Sequence, residues 1–327
     1  MKHDRQIARA PLSTQDQTIC FAFILCEGFC LMDLATAISA LGAANRVAGT
    51  EKYSWTITSS GGQSVCCSNG TAYPVDIKLD DLPLHARAFV FAFDDIMGRH
   101  APEILGWLRK AARRGNMMGA FGTGAVVLAK AGVLTGREFT LHWSARPIFS
   151  ELFPHYRTQD TLFAKDGRFF TCAGGQSSGD MMISILSEDV DRAFGVRVAD
   201  YLLGPAPRSA GTPQRQAAAN RYGTRNPHFL AIMDAIAADE AGELTIDDLL
   251  KKHRISRRQL ERLFKQFCNT TPARFLKDVR LDRARDLLDQ TSMSVLEIST
   301  AVGFATVSNF SKLFSRKFGC SPSRYRM

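Results

Sequence analysis

Residues 256–275 and 306–325 carry one pattern twice, at a constant offset of fifty positions. Leu263 and Phe264 return as Leu313 and Phe314, Arg262 returns as Lys312, and Pro272, Arg274 and Phe275 return as Pro322, Arg324 and Tyr325. A period of this length builds two copies of one supersecondary unit, each too small to cover its own apolar face. The spacing predicts a short helix, a tight turn and a longer helix in each copy. Thr245–His253 leads into Ser256–Cys268, and Ser294–Val302 leads through Gly303 into Thr306–Phe318. Ser256 with Gln259 and Ser294 with Glu297 have capping-box spacing, in which hydroxyl and side chain each satisfy the other residue's backbone N–H.

The faces of the longer helices decide their use. Leu260, Leu263, Phe264 and Phe267 fall at helical spacing and form a stripe to be buried, as do Phe310, Leu313 and Phe314. The opposite face holds Arg258, Glu261, Arg262 and Lys265 in the first copy, and Ser308, Ser311, Lys312 and Ser315 with Asn309 in the second. An apolar rail behind a rail of hydrogen-bonding side chains suits a helix laid in the major groove of DNA. The residues expected to meet base edges are Arg258, Glu261, Arg262, Ser308, Asn309 and Lys312, with Arg257, Lys265 and Thr306 beside them. Arg suits guanine, Asn suits adenine, and Glu accepts from cytosine.

Charge points the same way. The net charge is +9, yet residues 1–204 hold 20 basic and 20 acidic side chains, while residues 250–327 hold 17 against 6. A neutral body with a basic tail is the footprint of a polyanion partner; charge by itself leaves DNA, RNA and a membrane surface equally open. No apolar run reaches membrane-spanning length, and the first seventeen residues are too polar for a signal peptide. The eight cysteines show no zinc-ligand spacing, so neither a metal nor a cofactor is expected. Reduced thiols in a cytoplasmic protein are the resulting expectation.

Ahead of the repeat, short apolar runs alternate with amphipathic stretches. Ile19–Leu25 and Ala88–Phe93 have the character of buried strands, with weaker candidates at Tyr53–Thr58 and Asn116–Phe121. Helices are expected at Leu31–Val47, Ala101–Arg114, Gly124–Ala131 and Asp180–Leu203. This alternation predicts an α/β sandwich around a mostly parallel sheet. Residues 205–224, with three Pro and almost no large apolar side chain, read as an interdomain linker. The chain thus divides into a polar arm (1–17), an α/β domain (18–204), the linker, and an all-α domain (225–327).

Two resemblances carry this further. The motifs RLDRARDLL, SVLEI, VGF, NFSKLF and FGCSPSRYR, in that order, resemble the DNA-binding domain of the AraC/XylS family. The turn Lys252–Ile255 lacks the glycine usual there, and Val307 places an apolar side chain where a polar one is common. The segment GAFGTGAVVLAKAGVLTG, followed by Thr140–Trp143 (TLHW) and Thr171–Gly175 (TCAGG), resembles the ThiJ/PfpI branch of the glutamine-amidotransferase-like superfamily. The layout resembles the GlxA-like regulators. It implies a flavodoxin-like α/β sandwich followed by an all-α double helix-turn-helix domain. Its implied partners are operator DNA, RNA polymerase, a second copy of the chain in a homodimer, and a small-molecule effector for what would be an activator.

ThiJ/PfpI enzymes carry a nucleophilic Cys on the turn after the AFG-type strand. The matching position here is Gly122, so no catalytic residue is expected. The alternative is a PfpI-like amidase- or hydratase-type enzyme tethered to DNA, with Cys26, Cys30 or Cys172 brought beside His142. Ligands of open α/β sheets lie at the carboxyl ends of the strands. The expected effector site therefore comprises Glu27, Asp94, Asp95, Gly122, Thr123, His142 and Trp143. Acids beside an indole favour a cationic metabolite, and regulators of the resembling layout respond to arginine, carnitine or glycine betaine.

Overall fold

The computed structural model describes residues 18–93, 102–214, 221–239, 242–291 and 293–326. The N-terminal arm and Asp94 and Asp95 lie outside the described residues. Seven strands form one sheet: β1 (Ile19–Leu25), β2 (Tyr53–Ser59), β5 (Ile77–Lys78), β6 (Arg87–Ala92), β7 (Met118–Gly122), β8 (Phe163–Asp166) and β9 (Phe169–Cys172), in the order β5–β2–β1–β6–β7–β9–β8. Every pair is parallel except β8 with β9, which is antiparallel at the edge. The short strands β3 (Val65–Cys66) and β4 (Ala72–Tyr73) pair apart from it.

Alternation along the strands divides the core by size. Phe21, Phe23, Phe89, Phe91 and Phe121 point to one face, beneath helices α1 (Leu31–Ala48), α5 (Ser177–Asp189) and α6 (Arg192–Tyr201). Ala22, Ile24, Ala88, Val90 and Ala120 point to the other, beneath α2 (Pro102–Arg113), α3 (Gly124–Lys130) and α4 (Arg146–Leu152). The aromatic face is knitted by ring contacts, the closest being Phe91 stacked on Phe121 at 4.4 Å. This is the sandwich expected from the sequence.

Three local expectations change. The stretch Asp180–Leu203 holds the greater part of two helices: the chain breaks at Val190, and the Asp191 carboxylate caps α6 by accepting from Phe194 N–H. The strand expected at Asn116–Phe121 runs from Met118 to Gly122. Residues of the expected linker are fastened to the α/β domain. The Arg208 guanidinium grips Asp180, and Gln214 bonds to the segment Thr140–Trp143.

Beyond the linker the described residues are helical: α7 (Pro227–Ala238), α8 (Ile246–His253), α9 (Arg257–Cys268), α10 (Pro272–Gln290), α11 (Val295–Ala301), α12 (Val307–Phe318) and α13 (Pro322–Tyr325). The repeat is kept in the caps. Ser256 and Thr306 begin α9 and α12, and Thr271 and Ser321 begin α10 and α13, each pair fifty positions apart. Both expected capping boxes form, and Thr245 with Asp248 adds a third. The first unit packs around Phe229, Ile232, Leu249, Leu260 and Phe264. The second packs around Leu281, Ala284, Leu288, Ile298, Phe310 and Phe314. Among the described residues no helix is long and apolar enough to cross a membrane.

Candidate functional site

Helices α9 and α12 bury most of the stripes that periodicity assigned to them, with Phe267 and Leu313 half-buried. They leave most of the opposite faces open, with Ser311 and Ser315 half-buried. Arg258, Glu261, Arg262 and Lys265 are exposed on α9, and Ser308, Asn309 and Lys312 on α12. Two residues assigned to DNA contact have other partners. Arg257 reaches back to Asp247 of α8 (2.9 Å), an exposed ion pair of the kind worth little in water. The Thr306 hydroxyl accepts from Asn309 N–H and so caps α12. The N-terminal ends of both helices present their free N–H groups and partial positive charge, which favours phosphate.

In the α/β domain, β7 ends on Gly122 with φ of +61°. This left-handed elbow suits glycine alone here, because a Cβ would lie 2.5 Å from the carbonyl oxygen of Ala92. The position therefore has neither a nucleophile nor room for one. Around it the fold gathers residues distant in sequence. A Cβ on Gly174 would stand 3.4 Å from Gly122 Cα and 2.9 Å from Asp33 Oδ2, so the elbow, the turn after β9 and the first turn of α1 converge. On the other side a Gly122 Cβ would lie 3.6 Å from the Phe93 ring, which meets His142 edge-on at 5.7 Å; His142 lies 5.4 Å from Trp143.

Asp33 is the residue that sequence reasoning missed. It is 1% exposed, and its Oδ1 accepts from Gly175 N–H (2.6 Å) and from the Ser178 hydroxyl (2.8 Å). Burial raises its pKa to about 6, against the opposing pull of those two hydrogen bonds. No local pattern marks it, since its partners lie more than a hundred residues away.

The other expected ligand residues are placed unevenly. Thr123 is buried, with its hydroxyl unpartnered, directly after the elbow. Trp143 is 39% exposed, and its backbone N–H donates to Gln214 Oε1. His142 Nδ1 and Ser144 Oγ lie 2.7 Å apart, and burial lowers the imidazole pKa, favouring the neutral ring. Glu27 Oε2 accepts from Cys66 N–H, which ties it to β3. Cys172, weighed as a substitute nucleophile, is fully buried. Its Sγ lies 3.1 Å from Ser177 Oγ and accepts from Gly174 N–H, and burial pushes its pKa up to about 12. A thiol held neutral and buried in this way is a poor nucleophile.

Comparison with known proteins agrees with both domains of this architecture. A helix-turn-helix domain family matches residues 249–327, and the DJ-1/PfpI family matches residues 20–188. The HTH-type transcriptional regulator CdhR of Pseudomonas aeruginosa is 36% identical over 306 residues, covering 94% of this chain and 91% of that one. The HTH-type transcriptional regulator GlxA of Rhizobium meliloti is 34% identical over 311 residues, covering 93% and 94%. A ThiJ/PfpI family protein from Pseudomonas syringae shares the fold, with a TM-score of 0.52 at 17% identity over 71% of this chain and 94% of that one. An α/β domain joined to a double helix-turn-helix defines a DNA-binding transcriptional regulator. The chain belongs to the GlxA-type AraC-family regulators, in which a DJ-1/PfpI domain precedes the helix-turn-helix domain.

Proposed function

We propose that this regulator is a cytoplasmic activator controlled by a small cationic metabolite, and that its α/β domain binds that effector without chemistry. In this reading α9 and α12 enter successive major grooves on one DNA face. One monomer then reads two short boxes about 10 bp apart, with Arg258, Glu261 and Arg262 at the first and Ser308, Asn309 and Lys312 at the second. Two copies join through the α/β domain, and the bound pair engages RNA polymerase.

The observation that carries the effector assignment is Asp33. Its buried carboxylate lies where the Gly122 elbow, the Gly174 turn and the first turn of α1 converge, with a Cβ on Gly174 falling 2.9 Å from Asp33 Oδ2 and 3.4 Å from Gly122 Cα. Phe93, His142 and Trp143 form a run of ring contacts on the other side of Gly122. A carboxylate and aromatic rings together attract ammonium, guanidinium and quaternary ammonium groups. Gly122 speaks against the amidase or hydratase reading, because covalent catalysis needs a nucleophile at the elbow.

Selection of binding sites from random duplex DNA with the purified full-length protein tests the DNA assignment. A two-box site is expected, and log affinity against log salt concentration should fall with a slope of about −5, as for ~6 neutralised phosphates. Thermal-shift measurement with arginine, carnitine and glycine betaine tests the effector assignment; a ligand at about 100 times its Kd adds ~2.7 kcal/mol of stability. Melting curves indifferent to all such cations would refute it.

A further inference from the structure

The two helix-turn-helix units have separate cores, and α10 contributes to both: Leu276 to the first, and Leu281, Ala284 and Leu288 to the second. A single shared helix would leave the units free to swing, yet the structure closes a second connection between them. Arg280 of α10 donates from Nη2 to the carbonyl oxygen of Leu244 (2.9 Å) and from Nη1 to that of Gly303 (3.1 Å). Leu244 directly precedes the cap of α8, and Gly303 lies in the turn between α11 and α12. The same guanidinium therefore holds the entrance of the first unit and the turn of the second.

Backbone meets backbone at this seam. A Cβ on Gly242 would lie 2.6 Å from the Val302 carbonyl oxygen, and one on Gly303 would overlap the carbonyl of Gly242. Both glycines have positive φ, +65° and +75°. The Asp239 carboxylate accepts from Glu243 and Leu244 N–H, each at 3.0 Å, and so holds the first unit's strand of the seam in place. A planar guanidinium bridging two carbonyls fixes both distance and angle, whereas a lysine ammonium on a flexible stem does not.

We propose that Arg280 is a positioning residue for DNA recognition: by bridging Leu244 and Gly303 it sets the separation and angle of α9 and α12, and so the number of base pairs allowed between the two boxes. One added base pair rotates a box by about 36° and moves it ~3.4 Å. Units locked at the seam cannot follow that displacement, and units hinged on α10 alone can. The inference rests on the reading of α9 and α12 as the recognition helices.

Two measurements on the full-length chain test it. Spin labels carried by unnatural amino acids at Gln266 and Arg316, exposed positions on α9 and α12, report the distance between the helices without DNA. The wild type should give one narrow distribution and Arg280→Met a distribution at least about twice as broad, with Arg280→Lys between them. On duplexes selected by the wild type, inserting or deleting one base pair between boxes should weaken wild-type binding by about tenfold or more, and Arg280→Met binding by less than about threefold. Where Arg280→Met shows no cooperative melting, Arg280→Lys serves in both experiments. An unchanged distance distribution together with an unchanged spacing profile overturns the proposal. Should the wild type select no duplex, the DNA reading fails, and the distance measurement still decides the clamp.

Discussion

Keeping Asp33 charged costs the fold stability. Its carboxyl pKa rises from 3.8 to about 6 on folding, so the native state holds a proton that the unfolded chain releases. The penalty is absent below pH 4, grows between the two values, and is complete above about 6, where the shift amounts to about 3 kcal/mol. Asp33→Asn keeps an oxygen to accept from Gly175 and Ser178 and removes the charge. Scanning calorimetry should find the variant more stable than wild type at pH 8, with the gain gone near pH 4; equal melting temperatures at pH 8 would count against the buried charge. The same variant should lose its response to a cationic effector. In the wild type that response should fade as pH falls through about 6, since protonation removes the attraction. A stability cost of this kind fits the proposed ligand site, since activity often demands such a trade. Arg262, exposed on α9, belongs at the same scale. Arg262→Ala should lose ~1–3 kcal/mol of affinity and relax preference at one base position. An equal loss on every duplex would make it a phosphate contact instead.

At the scale of elements, capping is where sequence and structure agree most closely. Ser256 accepts from Gln259 N–H while Gln259 accepts from Ser256 N–H. Ser256→Ala should therefore lower the stability of the first unit by ~1 kcal/mol in denaturant unfolding, and Ser256→Asp should restore it. Such elements were legible because their signals are local: a cap, a 3.6-residue stripe and a repeat that doubles both. Of the parallel strands, β1 and β6 were legible as short apolar runs and β2 and β7 more weakly, while the two-residue β5 left no run to read. The hairpin β8–β9 was missed although Asp166–Gly167 announces it, because its strands are four residues each and Lys165 and Arg168 interrupt the apolar pattern. Helix α6 was merged with α5 because the apolar spacing continues across Val190, while the break depends on Asp191 capping a new start. The candidate site was half legible. His142, Trp143, Thr123 and Gly122 lie in motif-bearing segments, but Asp33 sits in the first turn of an amphipathic helix, and only tertiary folding brings it to Gly174.

For the whole molecule, the proposed effector site at the elbow needs a path to helices in another domain, and the expected linker offers one. Gln214 Nε2 donates to Thr140 Oγ1 (2.8 Å), to Leu141 O (2.9 Å) and to Thr161 O (3.0 Å), while its Oε1 accepts from Trp143 N–H (2.8 Å). Arg208 grips Asp180 on α5, the helix whose Ser178 bonds Asp33. The strap between the domains thus holds both sides of the elbow: the His142–Trp143 segment through Gln214, and the Asp33 network through α5. A ligand that shifts Trp143 or recharges Asp33 changes the strap's footing, and with it the arrangements open to the DNA-binding domain. Coupling of this kind is a free energy shared by two sites, typically 1–3 kcal/mol or roughly 5–150-fold in affinity. Gln214→Ala removes this amide's hydrogen bonds to Thr140, Leu141, Thr161 and Trp143, none of which is made to effector or DNA. The variant should still melt at a higher temperature with effector and still bind its operator, but the effector should no longer change operator affinity. Titrations of operator with and without effector measure that ratio. Reciprocity supplies the control, since in the wild type saturating operator must change effector affinity by the same factor. A variant that keeps the wild-type ratio would show that the signal passes elsewhere, for instance by a change in how two copies pair.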